Sequence, residues 1–220
     1  RLNDRAIAPR LSIDALLIQT LAKKWVEGES QNNLKRIEQA RQFANDTGDV
    51  WLICTCEERY AVYLHTYGHL ERARAVFEGA QSWHELLEDD HLRMMISLGF
   101  ARLFIDLGDL EQAEIYAQQA RDVAPVSTGS SLFASLRLTL GDIYRRTARV
   151  EDAFIEYSQA TATLRRLGAM ELWAALTSLG LAYLELGRPR ESLSAYHDAL
   201  EEAARLESTT ARPTILSCSL

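Results

Sequence analysis

The chain has 220 residues, 47% of them hydrophobic, and a formal charge of −7. That length suits one or two globular domains or one elongated array. The acidic balance argues against general nucleic-acid binding, which needs cations against phosphate, and no apolar run of roughly 18 residues is present to cross a membrane.

The opening residues RLNDRAIAPR carry no apolar stretch of signal-peptide length and no initiator Met. The expectation is a cytoplasmic chain cut from a longer protein. Cys54, Cys56 and Cys218 form no even, spaced framework. Cys54 and Cys56 stand two apart on an expected helix and so point away from each other, as small buried residues rather than a bridge.

The first helix expected is SIDALLIQTLAKKWV, with Ser12 as N-cap, Asp14 in its first turn and Leu17, Leu21 and Trp25 as an apolar stripe. A polar connection, Gly28 to Asn33, leads to LKRIEQARQFA, which completes a degenerate first pair over 11–46. Thr47-Gly48-Asp49 stops that helix, and Asp49 caps VWLICTCEERYAVYLHTY; LERARAVFEGAQSWHELL then returns, giving a repeat over 50–88. Asp89-Asp90 opens LRMMISLGFARLFIDL, and LEQAEIYAQQARDVA closes a repeat over 90–124, ended by Pro125. Ser130 or Ser131 caps the next pair (130–167), which turns at Ala148-Arg149 and ends at Gly168. The last pair, 170–206, turns at Gly187-Arg188 with Pro189 in a tolerated first-turn position; 207–220 is a tail or a truncated next element.

These pairs share a register. Ala73, Ala113, Ala153 and Ser192 fall at steps of 40, 40 and 39 residues. Ahead of each lies another small residue (Ala61, Ala101, Gly141, Gly180), and beyond each a third (Ala80, Ala120, Ala160, Ala199). Leu64, Phe104, Tyr144 and Tyr183 fill a bulky slot. Small residues let two helix axes approach while a bulky neighbour fills the space beside them. Each hairpin hides only part of its apolar surface, so stacking on the next completes the core.

At these residues the chain resembles the tetratricopeptide repeat family, in a variant with a period near 40 as in some bacterial regulators. The likeness covers about residues 50–206 well and the first pair loosely. It implies an all-α, right-handed superhelical solenoid of about five antiparallel helix pairs, whose first helices line a concave groove. It further implies a non-catalytic module that binds a protein or peptide partner within a larger regulatory protein. Transferred helix geometry places Glu58, Arg59, Val62, His65, Met95, Arg102, Ile105, Asp142, Arg145, Arg146, Leu181 and Glu185 in the groove. The Lys and Asn clamp that co-chaperone members use on a terminal carboxylate is not recognisable. Arg59, Arg102, Arg145 and Arg146 make a candidate basic strip, since the guanidinium fork suits carboxylate or phosphate; the bland reading is ordinary surface arginines paired with glutamates.

A second reading is an effector-sensing domain of an ATP-dependent transcriptional activator, taking a small molecule or an inhibitory protein. A closed pocket, lined by aromatics such as Trp25, Trp51 or Trp173, would mark it; core packing explains those residues more simply. Self-association through the solenoid ends fits either reading. His65 and His69 have a spacing known from zinc sites, but Gly68 interrupts it and no third ligand follows, and the acids near His84 and His91 serve better as caps. No glycine-rich phosphate loop, nucleophile elbow or paired CxxC is present, so neither a metal, a cofactor nor enzymatic activity is expected.

Overall fold

The structure, a computed structural model, describes residues 31–84, 89–124 and 129–205. The expected first helix with Trp25, the Pro125 stop, Cys218 and the tail 207–220 lie outside them. Among the described residues there are nine helices and no strand: α1 (Gln31–Thr47), α2 (Val50–Thr66), α3 (Leu70–His84), α4 (Asp90–Leu107), α5 (Leu110–Asp122), α6 (Ser131–Arg146), α7 (Val150–Leu167), α8 (Leu172–Glu185) and α9 (Pro189–Arg205). No described helix is long and apolar enough to cross a membrane.

Local chemistry sets the helix ends. Asp49 Oδ1 accepts hydrogen bonds from the Trp51 and Leu52 N–H groups at 3.0 and 3.2 Å. Asp89 serves α4 in the same way through the Leu92 N–H at 3.0 Å, Asp109 serves α5 through Gln112 at 3.1 Å, and Ser130 Oγ serves α6 through Phe133 at 3.2 Å. Each such cap satisfies an otherwise orphaned amide and is worth about 1 kcal/mol. Pro189 is the first residue of α9, as expected. The first-to-second-helix turns carry a left-handed residue: Gly68 (φ 80°), Gly108 (φ 83°) and Gly187 (φ 70°), but Ala148 (φ 59°) in the turn between α6 and α7. Only glycine adopts that conformation without a Cβ penalty.

The chain divides into two compact units, Arg1–Leu107 and Gly108–Leu220. In the first, α2 and α3 form an antiparallel hairpin; α1 packs on α2, and α4 packs on both α3 and α2. In the second, α6 and α7 form one hairpin and α8 and α9 another; α5 packs on α6, and α8 packs on both α7 and α6. Each unit is therefore a stack in which a first helix is sandwiched between second helices and touches the next first helix.

The register residues are the packing points. Ala61, Ala73, Ala101, Ala113, Ala120, Ala153, Ala160 and Ala199 are fully buried. A Cβ on Gly141 would lie 2.5 Å from Tyr157 Cε1, and one on Gly180 would lie 2.8 Å from Tyr196 Cε1. In the first unit the Phe77 ring, in the register of Tyr157, instead lies over Gly99 of the following first helix, α4. Glycine is thus required for close approach: the aromatic ring of one helix rests on the bare backbone of its neighbour.

The degenerate first pair keeps the same frame one step earlier. Asn33, 40 residues before Ala73, is fully buried, and Ile37 and Ala40 are as hidden as their counterparts Phe77 and Ala80. Asn33 Oδ1 accepts a hydrogen bond from Arg36 Nη1 at 3.0 Å. Helix α1 begins at Gln31, ahead of the expected Leu34, because this polar residue belongs to the helix and not to the loop before it.

Candidate functional site

In the first unit the exposed side of the first helices is built by α2 and α4. Arg59, Val62, His65 and Met95 are half-buried on it, and Arg102 is exposed. Ile105, expected in the groove, is 6% exposed and belongs to the core. Its helix α4 packs on α2 and α3 together, so more of its circumference is covered than a half-exposed helix pattern would give.

Glu58 is the unusual member of this face. It is 4% exposed, and its Oε2 has no hydrogen-bond partner. Arg59 Nε stands 3.4 Å away, an ion pair too poorly aligned to count as a hydrogen bond. Burial pushes the Glu58 carboxyl above the usual carboxylate range, and the neighbouring Arg59 and Arg102 guanidinia only partly offset that shift. The adjacent Glu57 is spent differently: it receives both Arg41 Nε and Nη2 at 2.9 and 2.8 Å, tying α1 to α2.

His65 Nε2 lies 2.7 Å from Asp106 Oδ2. A carboxylate only accepts, so Nε2 carries the proton and donates, joining α2 to α4.

In the second unit the candidates on α6 and α8 are drawn into one network. The Tyr157 hydroxyl donates to Asp142 Oδ1 at 2.6 Å, and Arg145 Nη1 donates to Glu185 Oε1 at 3.1 Å. Burial, then the charge of Asp142, pushes the Tyr157 hydroxyl well above its ordinary range, so it stays a donor. Leu181 is half-buried and Arg146 exposed. The four arginines of the expected basic strip therefore differ in state: Arg59 and Arg102 flank a buried carboxyl in the first unit, whereas in the second Arg145 is paired with Glu185 and Arg146 is exposed.

Other clusters serve the scaffold. Glu156, 9% exposed, receives Arg121 Nη2 and Arg137 Nη1, each at 2.7 Å, and so clamps α5, α6 and α7 together. Trp51 Nε1 donates to Asp89 Oδ2 at 2.7 Å, and Trp173 packs against a core cluster that includes Leu172 and Leu176. Cys54 and Cys56 are buried. His197, Asp198 and Glu201 come together on the surface of α9, where Asp198 already pairs with Arg165. A cleft of about 240 Å³ opens between α7 and α9 over α8, with Leu176, Leu179 and Tyr183 as its floor.

No protein-family profile matches this sequence, and no curated protein matches it. Solved structures do resemble it in shape. BtubC from P. vanneervenii is 20% identical with a TM-score of 0.69, over 89% of this chain and 82% of that one. A thermophilic tetratricopeptide-repeat protein of Thermus thermophilus is 19% identical with a TM-score of 0.65, over 96% and 98%. The fold is of the tetratricopeptide-repeat type. Bacillus thuringiensis PlcR, solved in complex with the peptide PapR7 and DNA, shares it at 13% identity and a TM-score of 0.72, over 92% of this chain and 73% of that one.

Proposed function

We propose that this chain is a non-catalytic helical-repeat module that binds an extended peptide segment of a protein partner across the first-helix face of its first unit. The observation that carries this reading is the α2–α4 face. Polar and apolar side chains alternate there between buried and half-buried positions, and a buried carboxyl oxygen is left without a hydrogen bond. Folding alone gives no return for burying an unsatisfied carboxyl, whereas a ligand donor or acceptor at that point would complete it. The PlcR complex adds support, because a protein of the same fold binds a peptide. A regulatory setting in a reducing, cytoplasmic compartment accords with that likeness and with two buried thiols.

Panning a random dodecapeptide display library against the full chain tests the reading. Enriched peptides should lose binding to a Val62→Glu variant that melts at the wild-type temperature. Failure to enrich any peptide family, or enrichment indifferent to Val62→Glu, would overturn it.

A further inference from the structure

We propose that the cleft between α7 and α9 binds a free α-amino acid with an apolar side chain, whose carboxylate meets Thr161 and Arg165 and whose ammonium meets Asp198.

Thr161 is the residue that marks this cleft as a site. The helical threonines Thr55, Thr66, Thr139, Thr163 and Thr177 each donate to the carbonyl four residues back, at 2.7–3.0 Å. Thr161 makes no such bond. It is 4% exposed, and its Oγ1 has no hydrogen-bond partner. The residue lines the cleft, where a ligand group can complete what the fold leaves unsatisfied.

The two walls differ in chemistry. Thr161 and Arg165 stand one turn apart on α7, and Ser194 and Asp198 one turn apart on α9, all four lining the cleft. The α7 wall therefore offers a guanidinium fork and a hydroxyl donor, which suit a carboxylate. The α9 wall offers a carboxylate and a hydroxyl, which suit an ammonium. Arg165 and Asp198 face each other as an ion pair at 3.3 Å, with side chains 58% and 46% exposed, a weak tie that a ligand can part. An anion alone would leave Asp198 without a cation, and a cation alone would leave Arg165 without an anion. A free amino acid carries both charges on one carbon and matches both. The remaining carboxylate of the lining, Glu191, is held by Arg188 at 2.9 Å.

Size and floor select the side chain. The cleft holds about 240 Å³. A cavity of about 150 Å³ accommodates a benzene-sized ring. One branched or aromatic side chain thus fits over Leu176, Leu179 and Tyr183, with room for the two charged groups at the walls.

The full chain is titrated by calorimetry with L-leucine and L-phenylalanine, and with phenylalaninamide and N-acetylphenylalanine, which each lack one of the two charges. The expected result is saturable binding of leucine or phenylalanine, with either blocked form weaker by about tenfold or more. Arg165→Gln and Asp198→Asn should each weaken binding by a similar factor. Thr161→Val keeps the shape and removes a hydroxyl that bonds to nothing in the free protein. It should melt at or above the wild-type temperature and yet bind the amino acid at least about fivefold more weakly. The proposal is overturned if neither amino acid binds at about 10 mM, if the blocked forms bind equally well, or if Thr161→Val binds undiminished. A lower melting temperature for Thr161→Val also overturns it, because the hydroxyl would then be serving the fold. Peptide binding at the α2–α4 face is tested separately and stands or falls without this site.

Discussion

Changing glycine to alanine should have opposite effects at two helical positions of this chain. Gly79 lies within α3, and a Cβ added there meets nothing within 4 Å. Gly79→Ala should gain about 0.8–1 kcal/mol from helix propensity alone. Gly141 lies within α6, where the added Cβ would sit 2.5 Å from Cε1 of the fully buried Tyr157 ring. The same propensity gain is then opposed by overpacking, worth about 1–3 kcal/mol. Displacing the ring also strains the 2.6 Å hydrogen bond from Tyr157 to Asp142, a bond to a charged group worth about 1.5–3 kcal/mol. The net expectation for Gly141→Ala is a loss of roughly 1.5–5 kcal/mol, and a melting temperature lower by at least about 3 °C. Urea denaturation and a thermal melt, each followed by circular dichroism, give the two values, and hydrogen exchange of α6 amides locates the loss. Should Gly141→Ala stabilise the protein as Gly79→Ala does, the ring-on-glycine contact is not what sets the spacing of the two helices.

Three further outcomes can be checked directly. Ala148→Gly should raise stability by about 0.5–1 kcal/mol in the same denaturation assay, because it relieves a left-handed Cβ at a φ of 59°. Burial alone would raise the Asp89 carboxyl, but the Leu92 N–H and the Trp51 indole N–H outweigh it and hold Asp89 below the usual range. The stability from this carboxylate is therefore present above the ordinary aspartate pKa and lost as pH falls through the lowered one; acid titration should shift Trp51 fluorescence, and Asp89→Asn should remove that shift. Burial, then the charge of Glu57, pushes the Cys54 thiol up to about 11, so at pH 8 roughly one molecule in a thousand carries the thiolate. Native protein should leave Cys54 unmodified by a disulfide-exchange reagent that labels it in urea, and rapid native labelling would refute its burial.

The hairpins were legible in the sequence because they rest on residue size. A small residue at fixed offsets forces close approach whatever surrounds it, and Ala73, Ala113 and Ala153 could be aligned without structural knowledge. Asn33 was not aligned with them, since a polar residue in that slot looks like a loop residue until Ile37 and Ala40 are seen buried beyond it. The candidate site was legible in outline only. Glu57 and Glu58 are chemically identical neighbours, and the difference between an ion-paired surface carboxylate and a buried unsatisfied one depends on where Arg41 and Arg102 stand. Ile105 lies deeper than its spacing suggests for a related reason: helical spacing assigns a face, but the number of helices packed around α4 decides how much of that face remains open. Arg145 likewise finds Glu185 forty residues further on, a distance no local pattern reports.

The ion pairs that join successive second helices of the second unit have a mechanical consequence. Glu114 of α5 holds Arg149 at the start of α7 at 2.8 Å, and Arg165 of α7 reaches Asp198 of α9 at 3.3 Å. Both pairs are two-fifths or more exposed on every partner, so each contributes at most about 1 kcal/mol and weakens as salt shortens the screening length. Between those exposed ties, and apart from the mostly buried Arg121–Glu156 pair that also joins α5 to α7, the second helices are separated by the intervening first helices. The outer side of this unit therefore behaves as a set of soft springs over a stiff inner layer. Its elasticity is set by ionic strength, while its resistance to unfolding is set by the alanines, glycines and tyrosines beneath.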